Sequence, residues 1–354
     1  MMEEIFNRDR MIRGARWFGA LTVAGLGILT AVSGRGALDV VGHLSPIFLV
    51  VAALAAVLDT LIGASRYQIF LRRIRPGVPF SLPIRADLAN KFVGAVTPSQ
   101  TGGGPAQLYV LWKGGIPVPD ALSFLAINFL STMIFFLVAG GFTAWMFRGA
   151  FVSGTVTLLI RYGFAAFATM GVFVFVALLR PDLIERPCRA LVARRGGRGG
   201  GALHAGLQWV VDSIGRYRSA CTRFVREAPI LLLWSMLLTM VLYLNKFSLG
   251  YFVLRGLGVE ASYLEVLAIQ ALLQFILYVA PSPGGSGIAE LSTAALMARF
   301  MDPSLLAAYT FAFRFFLLYL PAAVGCFVLI GVLEPLARST KLPAGLEAEG
   351  AVAP

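Results

Sequence analysis

The sequence predicts an all-α polytopic integral membrane protein with about six full transmembrane helices and two re-entrant helical hairpins in an inverted repeat. Three observations lead to this fold class: long apolar segments, basic loops that alternate with neutral ones, and two similar breaks rich in Pro and Gly. Of the 354 residues, 58% are hydrophobic and 14% are charged, and the mean hydropathy is +0.79. Soluble domains are about a quarter charged, so this composition excludes an ordinary cytoplasmic enzyme.

Six apolar segments are predicted to cross the bilayer. They lie at about 17–32, 44–65, 121–147, 154–179, 229–254 and 305–333. The first segment follows a charged stretch that includes acidic residues, and it lacks a clear small-x-small cleavage site. We therefore interpret it as a retained span rather than a signal peptide.

The distribution of charge predicts the topology. Segments 66–91 and 180–228 carry net charges of +5 and +6, whereas 33–43 is neutral and 255–265 is −1. Lys and Arg collect on the cytoplasmic side, so both termini are predicted to be cytoplasmic in a multi-pass inner (plasma) membrane protein. The net charge of +12 does not indicate nucleic-acid binding, because the basic residues lie between apolar segments.

The same pattern predicts the organisation of the chain: a cytoplasmic N-terminus at 1–15, a membrane domain at 16–335 and a disordered tail at 336–354. Within the basic loop 180–228, apolar residues recur at helical spacing between arginines. This pattern predicts an amphipathic helix on the anionic inner leaflet.

Two apolar regions, 92–112 and about 266–300, are interrupted at the middle by Pro and Gly. Each side of the first break is predicted to have about 8–12 residues, too few to cross about 30 Å of hydrocarbon at about 1.5 Å per residue. Irregular backbone at membrane depth is tolerated only inside protein or beside a cavity. Both regions are therefore predicted to be re-entrant helical hairpins.

The two breaks resemble each other. Thr97–Leu108 reads TPSQTGGGPAQL and Ala280–Leu291 reads APSPGGSGIAEL, with six identities in twelve positions at an offset of 183 residues. The surrounding spans follow nearly the same offset, which places repeat one at about 44–147 and repeat two at about 229–333. The first hairpin is predicted to enter from the cytoplasm and the second from outside. Transporters with such inverted repeats bind substrate where the discontinuous helices meet.

At each hairpin tip a helix ends and another begins, which exposes backbone N–H groups to an anion. A tight turn and close helix packing remain the structural alternative. The glycines expected to let the backbone approach a ligand are Gly102, Gly103, Gly104, Gly284, Gly285 and Gly287. The residues expected to donate hydrogen bonds are Ser99, Thr101, Ser282 and Ser286.

Charged residues at membrane depth are the other candidates. Arg314 is too deep in its span to reach water easily, so we expect an anionic partner, either Glu290 or a lipid phosphate. Lys246 lies near the outer end of its span and can also snorkel. Lys91 lies just before the first break, where it can bind anionic headgroups or act as a positive-inside residue. Asp59 is expected to reach water or nearby arginines.

No cofactor or metal site is expected. The chain contains no Walker motif and no HExxH or Ser/His/Asp pattern. Its three cysteines, Cys188, Cys221 and Cys326, share no ligand-like spacing.

The motifs TPSQTGGGPAQLYVLWKGG, APSPGGSGIAE and FRFFLLYLP resemble the membrane domain of the lysylphosphatidylglycerol synthase family over roughly residues 15–335. The resemblance implies a flippase-like domain and favours Pro283, Gly284, Gly285, Gly287, Glu290 and Arg314 as site residues. Many relatives carry a GGEPxR pattern in the first motif, where this chain has Gly104 and Gln107. Lysyl-phosphatidylglycerol is therefore not carried over as the substrate. The chain ends about twenty residues after its last predicted span, so aminoacyl transfer is not carried over either.

The predicted function is translocation of a phospholipid or lipid-linked headgroup between leaflets, without ATP. Two alternatives remain: a secondary transporter of a small anionic solute, and an intramembrane enzyme acting on polyprenyl-phosphate lipids. The predicted partners are membrane lipids with an anionic or zwitterionic headgroup. A second copy of the chain, or a separately encoded lipid-modifying enzyme, is left open as a further partner.

Overall fold

The computed structural model describes residues 45–146 and 214–339, together with scattered positions within 16–27 and 165–212. The regular structure of this part of the chain is helical. Residues 214–222 are helical and lead into a π-helical turn, Arg223–Glu227, and a second π-helical turn spans Phe315–Tyr319. The α-helices are α1 (Pro46–Ile74), α2 (Ser81–Val96), α3 (Gly103–Lys113), α4 (Val118–Met146), α5 (Pro229–Gly256), α6 (Tyr263–Val279), α7 (Ile288–Met297), α8 (Pro303–Arg314) and α9 (Leu320–Ser339).

Four helical segments of the described chain are long and apolar enough to cross a membrane: Pro46–Ile74, Val118–Thr143, Pro229–Gly256 and Pro303–Val332. They correspond to four of the six predicted spans, which confirms an all-helical fold of the membrane type. The other two predicted spans, at 17–32 and 154–179, lie mostly outside the described residues, as do the N-terminus and most of the tail.

The two halves contain helices of similar length in the same order. A helix of 29 residues, α1, precedes helices of 16 and 11 residues, and a helix of 28 residues, α5, precedes helices of 17 and 10 residues. Both breaks begin at a residue that precedes proline, Thr97 in the first half and Ala280 in the second. Both residues have extended backbone. Proline disfavours helical conformation in the residue before it, which explains why α2 and α6 end there.

The halves pack closely against each other. Helix α1 packs along α5, and α2 packs along α9. Buried small residues on α1, Ala52, Ala55 and Ala56, belong to the same core cluster as Leu249 and Val253 of α5. Small side chains let two helix backbones approach, which is how helices associate where lipid supplies no hydrophobic drive.

Helix α1 extends further than its sequence pattern predicted. The sequence analysis ended this span at about 65 and assigned Arg66 to a cytoplasmic segment. Instead the helix continues to Ile74 and Arg66 is buried. Tyr67, Phe70 and Leu71 are also buried and keep one face of the helix in the core, which explains why the helix continues past the arginine.

The end of the basic loop packs on the protein. Phe224 is fully buried and its ring meets that of Phe70 edge-on, at a centroid distance of 5.2 Å. Arg223 forms an ion pair with Asp120 at the start of α4. Residues 214–228 therefore pack on the helical core around α1 and α4. The end of the predicted amphipathic helix thus lies against the protein, whereas its start, before residue 212, lies outside the described residues.

Candidate functional site

The two breaks contact each other, although 183 residues separate them in sequence. Pro98 and Pro283 form an isolated antiparallel bridge, and the Ser99 hydroxyl donates a hydrogen bond to the Ala280 carbonyl at 3.2 Å. Ser99 has φ of 48°, in the left-handed region that few non-glycine residues adopt. The structure thus brings together the two segments that the sequence analysis singled out.

The three glycines of the first break have different surroundings. A Cβ on Gly102 would lie 2.6 Å from Thr97 Cγ2, and one on Gly103 would lie 2.8 Å from Asn90 Oδ1. These two glycines therefore permit the backbone of α3 to fold tightly against α2. A Cβ on Gly104 would meet nothing within 4 Å. Gly104 borders open space, where a ligand can approach.

The polar side chains of the first break are mostly held by the protein. The Thr101 hydroxyl donates to the Pro98 carbonyl at 2.9 Å. Gln107 is buried, and its Oε1 accepts a hydrogen bond from Asn90 Nδ2 at 3.0 Å, while its Nε2 has no partner in the structure.

The second break is held by a buried ion pair. Glu290 is 0% exposed and Arg314 is 2% exposed, and Arg314 Nε lies 3.1 Å from Glu290 Oε1. The other carboxylate oxygen, Oε2, accepts the Gly287 backbone N–H at 2.6 Å and so caps the start of α7. Arg314 Nη1 and Nη2 each donate to the Gly284 carbonyl at 3.2 Å.

The Arg314–Glu290 pair depends on non-helical backbone in the second break and on a π-helical turn after Arg314. Gly284, Gly285 and Gly287 all have positive φ, between 57° and 82°, which glycine adopts without strain. A π-helical turn directly follows Arg314, and Tyr319 at its end donates its hydroxyl to Glu290 Oε1 at 3.2 Å. The expected pairing of Arg314 with Glu290 is therefore present, and both side chains bind the backbone or side chains around the break.

Lys91 and Lys246 are partly buried and belong to a second charge cluster, whose carboxylates Asp59 and Asp87 are buried. Lys91 Nζ lies 2.8 Å from a carboxylate oxygen of both Asp59 and Asp87, and it donates to Thr60 Oγ1 at 2.9 Å. Lys246 Nζ lies 3.5 Å from the other oxygen of Asp59. Two carboxylates thus face two ammonium groups, and the cluster joins α1, α2 and α5.

The expectation for Asp59 was wrong. Asp59 is 5% exposed and pairs with lysines instead of reaching water or arginines. Asp87 was counted only in a loop charge balance, although its spacing of four residues from Lys91 on a helix could have revealed the pair. A Cβ on Gly63 would lie 2.7 Å from Asp87 Oδ1, so this glycine makes room for the carboxylate.

Arg66 is a functional candidate that the sequence analysis missed. Its Nη2 donates to the Asn128 carbonyl at 2.7 Å and to Thr132 Oγ1 at 3.1 Å, both on α4. The apolar residues that continue at helical spacing to Ile74 were the signal that Arg66 lies inside a span.

An apolar cavity of about 450 Å³, which opens to the protein surface, lies between α4, α5 and α6. Phe135 and Phe142 of α4 and Met240 of α5 are among its lining residues, and nearly all of the others are apolar. Phe135 also stacks on Tyr243 at a centroid distance of 5.0 Å. The cavity has the chemistry of a site for a hydrocarbon chain.

The described chain has long apolar helices, a buried ion pair and two helix breaks that contact each other. These features define the class: this is a multi-pass α-helical membrane protein. The model of one protein family, the Lysylphosphatidylglycerol synthase TM region, matches residues 17–325 of the chain. The chain belongs to this family, as its motifs predicted. It is also similar to a UPF0104 membrane protein of Archaeoglobus fulgidus, with 25% identity over 276 residues that cover 73% of this chain and 79% of that protein.

Proposed function

We propose that this protein is a lipid translocase, which moves a phospholipid or lipid-linked headgroup between the two leaflets of the membrane. The contact between the two breaks, Pro98 against Pro283, is the observation that supports it most directly. It brings glycine-rich backbone from both halves to one place beside the buried Arg314–Glu290 pair. Membership in a family of membrane regions from lipid-modifying synthases agrees with a lipid substrate.

In this proposal each half contributes one re-entrant hairpin, the two halves are inverted, and the headgroup passes between the tips. Both termini are cytoplasmic and the membrane is the inner (plasma) membrane. Lys91, Lys246 and the polar groups of the first break attract the headgroup, and the Arg314–Glu290 pair opens as part of an alternating-access cycle without ATP. A headgroup with a negative or zwitterionic charge fits these surroundings.

The apolar cavity supports a lipid over a small hydrophilic anion. A phospholipid needs apolar surface for its acyl chains as well as polar groups for its head, and the cavity between α4, α5 and α6 provides such surface. An intramembrane enzyme receives less support. The described buried carboxylates Asp59, Asp87 and Glu290 are each paired with a cation, so none is free to act as a base.

The test uses a steric block at the first break. Gly104→Trp fills the open space beside the break, whereas Gly141→Trp adds the same side chain to an exposed position on α4 that also has nothing within 4 Å. With the protein reconstituted in liposomes, movement of a fluorescent phospholipid is measured by dithionite quenching. We expect Gly104→Trp to approach the rate of protein-free liposomes and Gly141→Trp to match the wild type.

Two results would contradict the proposal. A wild-type rate no higher than that of protein-free liposomes would exclude translocation of the lipids tested. Uptake of a labelled small anion, with no lipid movement, would favour the secondary transporter.

A further inference from the structure

Arg66 lies deep in α1, eight residues before the end of the helix at Ile74, and it is only 5% exposed. Its Nη2 donates to the Asn128 carbonyl and to Thr132 Oγ1, while its Nε is buried without a hydrogen-bond partner. A buried guanidinium with an unused donor is costly unless an anion completes its surroundings.

The other buried or partly buried cations that the described chain places beside carboxylates contrast with Arg66. Arg314 lies 3.1 Å from the Glu290 carboxylate, and Lys91 lies 2.8 Å from each of two aspartates. Lys246 also lies within 4 Å of a carboxylate. Among the described residues, no carboxylate comes within 4 Å of Arg66. The positive charge of this buried core is therefore left unbalanced at Arg66.

One hydroxyl group contacts this unbalanced charge and two more lie within electrostatic range of it. Thr132 contacts the guanidinium directly, and the hydroxyls of Tyr243 and Tyr278 hydrogen bond to each other at 2.8 Å. Both tyrosines lie within electrostatic range of Arg66. Tyr278 stands two residues before Ala280, where the second break begins. A cation and one hydroxyl therefore contact each other between α1 and α4, and the Tyr243–Tyr278 hydroxyl pair lies within electrostatic range of that cation.

The apolar cavity adjoins this polar region. Phe135 lines the cavity, stands one helical turn after Thr132 on α4, and stacks on Tyr243. Phe247 lines the cavity from α5 and packs near the same tyrosine at 5.9 Å. A molecule with a charged head at Arg66 and a hydrocarbon chain in the cavity would satisfy both environments.

We propose that Arg66 is the binding site for a phosphate group, namely the phosphodiester of a phospholipid whose acyl chain occupies the cavity between α4, α5 and α6. The unused Nε–H of Arg66 donates to the phosphate, since guanidinium binds phosphate oxygens through charge-assisted hydrogen bonds. This inference rests on the proposed function and names the first contact of its substrate. The Arg314–Glu290 pair can then remain closed while the lipid binds.

The test uses two substitutions: one removes the positive charge of Arg66, and the other keeps Arg66 but places a negative charge beside it. Arg66→Gln removes the cation, and Thr132→Asp places a carboxylate beside Arg66 in the same way that Glu290 lies beside Arg314. Arg66→Lys keeps the charge, and Arg72→Gln removes a cation from an exposed position on the same helix. Thermal unfolding and size-exclusion chromatography show which purified variants are folded.

Binding of phosphatidylglycerol to each full-length variant is measured by native mass spectrometry in mild detergent. A diacylglycerol with the same acyl chains tests the cavity alone, and inorganic phosphate, followed by thermal shift, tests the charge alone. We expect Arg66→Gln and Thr132→Asp to lose affinity for phosphatidylglycerol by about tenfold or more, as for the loss of a charge-assisted hydrogen bond. Arg66→Lys should keep part of the affinity, and Arg72→Gln should bind like the wild type.

Unchanged phosphatidylglycerol binding by a folded Arg66→Gln or Thr132→Asp variant would overturn the inference. A response to inorganic phosphate without selective phospholipid binding would overturn its assignment to a lipid. Arg66-dependent binding in a protein that moves no lipid across liposomes would support this site while contradicting the proposed function. If Arg66→Gln leaves both lipid movement and lipid binding unchanged, the result would contradict the site at Arg66 and would support the proposed function.

Discussion

Glu290 and Arg314 show how a single ion pair can organise a helix break. Each carboxylate oxygen of Glu290 has a partner, Arg314 and Tyr319 on one and the Gly287 N–H on the other. Arg314 in turn binds the Gly284 carbonyl, which has no helical partner. The pair therefore satisfies backbone groups that the break exposes, and that role explains why two charges are stable so far from water.

Removal of one partner is expected to destabilise the protein more than removal of both. Arg314→Met leaves Glu290 buried and unpaired, and we expect a loss of about 3–5 kcal/mol in the free energy of unfolding. Arg314→Met combined with Glu290→Met should recover part of this loss, because no unpaired charge remains. Thermal and denaturant unfolding in detergent measure both. A double variant that is less stable than Arg314→Met would contradict the ion-pair interpretation.

At the scale of helices, close packing between the halves depends on particular glycines. Gly325 is buried on α9, and a Cβ there would lie 2.1 Å from the carbonyl oxygen of Leu88 on α2. Backbone cannot move aside as a flexible side chain does. The contact between α2 and α9, one helix from each half, therefore requires glycine at this position.

Gly325→Ala is expected to separate α2 from α9 and to destabilise the protein by about 1–3 kcal/mol, the usual effect of overpacking. Gly331→Ala is the matched control on the same helix, because its Cβ would meet nothing within 4 Å. Alanine favours a helix over glycine, so this control should be neutral or slightly stabilising. The melting temperatures of the two variants in detergent test this difference, and equal values would contradict it.

At the scale of the whole molecule, the two halves do not form separate domains. Helix α1 packs on α5, α2 packs on α9, and the two breaks touch at Pro98 and Pro283. Opposed residues in an antiparallel bridge have Cα atoms about 4.5–5.5 Å apart, a distance that a disulfide can span.

We expect Pro98→Cys and Pro283→Cys together to form an intramolecular disulfide in a variant without the three native cysteines. A protease site inserted between residues 199 and 200 allows the two halves to be separated. After cleavage, the fragments should stay joined on a gel without reductant and separate with it. Pro98→Cys with Gly141→Cys is the control that should not cross-link. Complete separation of the Pro98–Pro283 variant would contradict the contact between the breaks.

The sequence alone determined the class of protein and the position of its breaks. Apolar segments, Pro after Thr97 and Ala280, and the repeated TPSQTGGGPAQL pattern depend on local backbone preference and hydropathy, which can be read from neighbouring residues. The sequence also predicted an anionic partner for Arg314, either Glu290 or a lipid phosphate, because a deeply placed arginine requires an anion.

Only the tertiary structure decided which distant charges meet. Asp59, Lys91 and Lys246 come from three helices, and no local pattern relates them. The same holds for Arg66, whose position in a basic stretch predicted a loop, whereas packing of Phe70 and Leu71 into the core kept it in a helix. Helix packing brings these groups within a few ångströms of each other. In the low dielectric of the interior, a paired charge is stabilised more than in water and an unpaired charge costs more.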